Sequence, residues 1–150
     1  YHNLPEINGY MQLPGVEYGA GEVSCDLGNC TLKMELAGAY PAECGIASYQ
    51  RTARLNKGQD IVIEDQFSWK ENEGKDNRLT LSLMSYERPV LCGDSEAGVE
   101  CIQIGEEKGA LRIENAYVSA IEEIPVTDKR LQIAWKHEVY RILERAIRLC

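Results

Sequence analysis

The chain has 150 residues, 44% hydrophobic and 27% charged, with 16 basic against 24 acidic residues and a formal net charge of −8. This is long enough for one domain with a sizeable core. The acidic balance repels nucleic acid, anionic lipid and polyanionic sugars at long range, so the domain alone is expected to bind heparin poorly without a local cluster of Arg and Lys, and no apolar run approaches the roughly 20 residues of a spanning helix.

The first turn signal is Asn8-Gly9, a pair that takes positive φ at low steric cost. A strand is predicted over 16–25, reversed at Leu27-Gly28-Asn29. In the next, over 31–38, Leu32, Met34 and Leu36 alternate with Thr31, Lys33 and Glu35, the period of a half-buried strand. Strands over 46–55 and 60–67 flank Asn56-Lys57-Gly58. The polar run from Glu71 to Asn77 reads as a solvated hairpin tip. Further strands are predicted over 79–85, 100–104 and 110–114, the last two separated by Glu106-Glu107-Lys108-Gly109. The C-terminal run has two readings. Leu131, Trp135, Val139, Ile142 and Ala146 fit one face of a short helix, and the same run makes a hairpin turning at Lys136-His137, which is the preferred reading. Short alternating strands at this spacing predict an all-β fold, an antiparallel β-sandwich forming one domain over 1–150. Its core should hold Leu32, Met34, Leu36, Ile61, Ile63, Leu81, Leu83, Ile113 and Trp135.

The chemistry-bearing residues are sparse. Cys25, Cys30, Cys44, Cys92, Cys101 and Cys150 include no CxxC pair, and several sit in alternating segments, so free thiols are preferred over three disulfides or a four-cysteine zinc site. His2 and His137 are the only histidines, and there is no GxSxG elbow, which argues against a Ser-His-Asp hydrolase. A GxxxxGK phosphate loop is absent too, and Gly19-Ala20-Gly21 precedes a strand where such a loop needs a helix.

One ordered set of motifs is more specific. It runs from His2-Asn3-Leu4-Pro5-Glu6-Ile7-Asn8-Gly9 through Gln12, Gly15 and Tyr18-Gly19-Ala20 to Leu36-Ala37-Gly38-Ala39-Tyr40-Pro41-Ala42-Glu43-Cys44-Gly45. Arg51-Thr52-Ala53-Arg54-Leu55 and Ile61-Val62-Ile63-Glu64-Asp65-Gln66-Phe67 follow. In this order the motifs resemble the C-terminal β-sandwich of the heparinase II/III-like polysaccharide lyases, from Tyr1 to about Tyr86 and again from Leu131 to Ile142.

The resemblance implies a parent enzyme that cleaves uronate-containing polysaccharides by β-elimination, with its catalytic groups on an N-terminal helical toroid facing the sandwich. The chain would then be a C-terminal fragment lacking the toroid, with no catalytic residue of its own. Its partners would be the toroid and, through the parent, an acidic polysaccharide, and neither nucleic acid nor membrane. By the same match His2 is a zinc ligand whose partners precede Tyr1, so no cofactor is expected in this fragment and zinc belongs to the full-length parent. Asn3, Tyr40, Glu43 and Arg51 are the candidate substrate-binding residues. Arg51 suits a bidentate contact to a uronate carboxylate, while an ion pair supporting the sheet is the preferred reading. Trp69 and Trp135 offer faces for sugar stacking, or core packing. The alternative function is a freestanding carbohydrate-binding or structural β-sandwich module.

Overall fold

The computed structural model describes residues 4–71, 76–92, 99–105, 110–114, 116–125 and 138–146. Among them are eleven strands: β1 (Pro5–Ile7), β2 (Gly21–Asp26), β3 (Thr31–Glu35), β4 (Ile46–Asn56), β5 (Asp60–Trp69), β6 (Leu79–Ser85), β7 (Pro89–Leu91), β8 (Val99–Ile104), β9 (Ala110–Glu114), β10 (Ala116–Pro125) and β11 (Glu138–Ala146). Two 3₁₀ turns, Ala37–Ala39 and Ala42–Cys44, are the only helical elements among these residues. The fold is all-β and its sheets are antiparallel, as the alternation predicts. The chain divides into two compact units, Ile7–Asn77 and a second made of Tyr1–Glu6 with Arg78–Cys150.

In the Ile7–Asn77 unit the sheet order is β2-β3-β4-β5, a meander fixed by its turns. Asn8 and Gly9 both take positive φ, 51° and 86°, and Ile7 and Tyr10 exchange backbone bonds of 2.9 Å each, the mirror-image turn that this dipeptide favours. After β2, the Asp26 carboxylate accepts the Gly28 N–H at 2.9 Å and the Asn29 N–H at 3.1 Å, an aspartate turn that reverses the chain. Gly58, at φ 76°, supplies the left-handed residue of the turn closed by Gln59 N–H to Asn56 O at 2.9 Å.

Cross-strand register sorts this sheet's side chains onto two faces. One carries Cys25, Leu32, Met34, Tyr49, Arg51, Ala53, Leu55, Ile61, Ile63 and Asp65, and the other carries Ser24, Asp26, Thr31, Lys33, Thr52, Arg54 and Asn56. Among the described residues the apolar face is covered at one end, where Leu36, Ala39, Tyr40, Cys44, Ile46 and Tyr49 are buried. At the β4–β5 tip Ile61 is 70% exposed and Ile63 54%, which corrects the expectation that both are core. Alternation places them on the apolar face, but the long hairpin carries them beyond the segments that bury Tyr49. Leu32 and Met34 are half-buried and Leu36 is buried.

The larger shifts in strand bounds are at β2 and β3. β2 starts at Gly21 and not at 16, since Tyr18 N–H returns to Gly15 O at 3.2 Å and Val16 stands fully exposed. β3 ends at Glu35 because that carboxylate accepts the N–H groups of Ala37 at 2.9 Å and Tyr49 at 2.7 Å, turning the chain into the first 3₁₀ turn.

The other unit has a four-stranded sheet, β1-β6-β11-β10, and a three-stranded one, β7-β8-β9. Ile102 and Ile113 from the smaller sheet cluster with Ile142 from the larger, and Leu83, Ile104, Leu111 and Val118 pack around them, as layers in a sandwich do. Leu81 and Leu83 are half-buried and Ile113 is buried. β11 pairs with β10 on one side and β6 on the other, so residues 138–146 are strand and not helix. Trp135 and the Lys136-His137 turn lie outside the described residues.

Candidate functional site

The predicted Tyr40, Glu43 and Arg51 come from adjoining pieces of the Ile7–Asn77 unit, and the structure gathers two of them around Tyr49. Arg51 lies opposite Asp65 in the β4–β5 register. Its Nε donates to Oδ1 and its Nη2 to Oδ2, each at 2.7 Å, the bidentate geometry of a strong guanidinium–carboxylate pair. The Tyr49 hydroxyl donates to the same Oδ2 at 3.0 Å, and the Arg51 Cζ lies 5.8 Å from the Tyr49 ring centre, within cation–π range. Tyr40 completes the cluster, its ring 6.4 Å from that of Tyr49 and tilted by 58°. Glu43 is exposed on the second 3₁₀ turn.

Burial dominates the electrostatics here. It pushes the Tyr40 and Tyr49 phenols far above their ordinary range, with the Asp65 charge adding to the rise and Arg51 opposing it. For Arg51 burial disfavours the charge, but the bond to Asp65 and the neighbouring groups outweigh it and the guanidinium's pKa is raised. The phenols stay protonated and the guanidinium charged, which makes the cluster a closed electrostatic unit.

His2 and Asn3 lie outside the described residues. Among the described residues no group of three or more His, Cys, Asp or Glu side chains is placed to hold a metal ion, so zinc has no ligand set there. Trp69 is half-buried, and its ring meets Phe67 edge-on at 5.7 Å.

The opposite face of the same sheet holds what motif reading passed over. Ser24 and Asp26 from β2, Asn29 from the turn, Thr31 and Lys33 from β3, and Arg54 and Asn56 from β4 line an open polar cleft of about 580 Å³. Register sets Asp26, Thr31 and Arg54 in one row across three strands, with Ser24 and Lys33 in the next. Asp26 is held below the usual carboxylate range, first by the Asn29 side-chain amide at 2.7 Å and then by backbone N–H groups. Lys33 and Arg54 line the cleft, and neither forms an ion pair with another described residue. The signal was present in the sequence as the polar half of the alternation, which on its own reads as a solvated face.

Neither a protein-family model nor a curated protein matches this chain.

Proposed function

We propose that the chain is an accessory β-sandwich region of a polysaccharide lyase acting on uronate-containing polysaccharides, and that it holds the acidic sugar chain without cleaving it. The order of motifs from His2-Asn3 to Asp65-Gln66-Phe67 supports the lyase reading. The observation that carries the sugar-holding role is the pair of cations Lys33 and Arg54, neither in an ion pair with another described residue, in a cleft whose lining also holds amides, hydroxyls and the Asp26 carboxylate. A uronate offers a carboxylate for the cations and hydroxyls for Ser24, Thr31, Asn29 and Asn56. In a chain of net charge −8, an anionic ligand needs a local pair of cations to overcome long-range repulsion.

Titration calorimetry with oligouronates, at low and at raised ionic strength, tests this. Binding that weakens with salt and drops by at least about tenfold in Lys33→Met/Arg54→Met is expected, since each lost charge-assisted bond contributes roughly 1.5–3 kcal/mol. Unchanged binding in the double variant, or no binding to any uronate, overturns it. The freestanding-module alternative predicts the same binding, and the upstream reading frame separates the two. A long helical region supports the lyase reading, and a start codon beside Tyr1 sinks it.

A further inference from the structure

In the three-stranded sheet, β7 and β8 run antiparallel with Pro89 opposite Ile104, Val90 opposite Gln103 and Leu91 opposite Ile102. One further step in that register sets Cys92 opposite Cys101, and the Cys92 N–H donates to the Cys101 carbonyl at 2.9 Å. Directly opposed residues send their side chains to the same face of a sheet. Ile102, one residue along, is fully buried in the core cluster, so the cysteines occupy the other, outer face. Both are half-buried free thiols.

We propose that Cys92 and Cys101 are a reversible disulfide site, a redox lock between the edge strand β7 and the central strand β8. Opposed residues at a hydrogen-bonded antiparallel position have Cα atoms about 5.5 Å apart, inside the roughly 4.4–6.8 Å that a disulfide spans. The neighbouring Cys92 thiol is the first cause of the raised Cys101 pKa, in keeping with side chains on one face of the sheet. No other described pair of cysteines is directly opposed in strand register: Cys25 lies opposite Leu32, Cys30 sits in the turn between β2 and β3, and Cys44 is buried on the second 3₁₀ turn. On the far side of Cys101 its register partner is Arg112, a cation that partly opposes the rise in the thiol's pKa.

The oxidant is a small disulfide. One cysteine thiolate attacks it, forming a mixed disulfide and expelling one thiolate. The second cysteine then attacks the protein-side sulfur, forming the Cys92–Cys101 bond and expelling the other. Two S–H bonds are lost, one S–S bond forms, and the two electrons reduce the small disulfide to two thiols. The product closes the segment between Cys92 and Cys101 and fastens β7, which is otherwise held by three register pairs.

The test is to equilibrate the full chain in mixtures of reduced and oxidised glutathione, alkylate the remaining thiols, and map them by peptide mass spectrometry. Under oxidising mixtures a linked peptide pair carrying Cys92 and Cys101 is expected, about 2 Da lighter than the two free peptides, fully reversed by dithiothreitol and accompanied by a rise in Tm of several degrees. Cys92→Ser should fold as the parent does and trap glutathione on Cys101. Finding both cysteines alkylated, or each carrying its own glutathione, in a mixture that oxidises a model dithiol peptide overturns the proposal. A linked pair formed with other cysteines overturns it as well.

Discussion

The Arg51 guanidinium and the Asp65 carboxylate face each other across neighbouring strands through two parallel bonds of 2.7 Å, their side chains 11% and 17% exposed. The pair sits on the apolar face of its sheet, and the Tyr49 hydroxyl shares the same carboxylate. A uronate competing for Arg51 must therefore displace an internal partner already held in bidentate geometry. This favours the sheet-supporting role of Arg51, and it is one reason the sugar-holding role is proposed for Lys33 and Arg54 on the opposite face.

Removing one member of such a pair leaves the other charge largely desolvated. Arg51→Met should lower stability by about 3 kcal/mol, near the low end for buried pairs because both side chains keep some exposure, while Arg51→Met/Asp65→Leu should recover most of it. Urea unfolding of the two variants measures the difference. Equal losses in both would show that the pair is not the source.

The buried phenols give an alkaline signature. Because the folded pKa values of Tyr40 and Tyr49 lie above the unfolded value near about 10, their contribution to stability is complete below that pH and is lost as pH rises towards the folded values. Tyrosinate absorbance should therefore show Tyr40 and Tyr49 ionising only together with unfolding. Tyr49→Phe should remove one of the two late ionisations. Smooth titration of every tyrosine in the native protein would contradict this.

The β4–β5 tip separates exposure from alternation. Ile61→Thr and Ile63→Thr should each change stability by no more than about 0.5 kcal/mol, as surface changes do, whereas Ile113→Ala, in the core cluster, should cost about 2–5 kcal/mol. Denaturant midpoints check the contrast. A large loss at Ile61 would mean that the tip is covered in solution.

Local chemistry made much of this legible. The period-2 runs at Leu79–Ser85 and Ala110–Glu114 became strands with the bounds expected of them, and Asn8-Gly9 and Asn56-Lys57-Gly58 turned where their φ preferences lead. What alternation does not encode is how far along a strand the covering layer reaches, which is why Ile61 and Leu36, similar in pattern, end up exposed and buried. β1 and β7 are three residues each and begin with proline, too short for any period to register. The cleft was hidden for a related reason. Lys33 and Arg54 come from different strands, and only cross-strand register brings them to one face.

The last prediction is that the chain alone cleaves no polysaccharide. β-Elimination needs a base at the acidic carbon, a group neutralising the uronate carboxylate, and a proton donor, all converging within hydrogen-bond reach. Tyr40 is buried with its proton held far above the ordinary phenol range, so it makes a poor base at neutral pH. Arg51 already neutralises Asp65. Lys33 and Arg54 can meet a carboxylate, but the cleft they share offers only Asp26, which its bonds to Asn29 and Gly28 keep ionised and weakly basic. One of three roles is filled, and positioning all three is itself worth several orders of magnitude in rate. Incubation with heparin, heparan sulfate, alginate and chondroitin should produce no unsaturated-uronate absorbance above a heat-killed control. Product that appears with the native chain and disappears in Tyr40→Phe would place catalysis on this chain and overturn the accessory role.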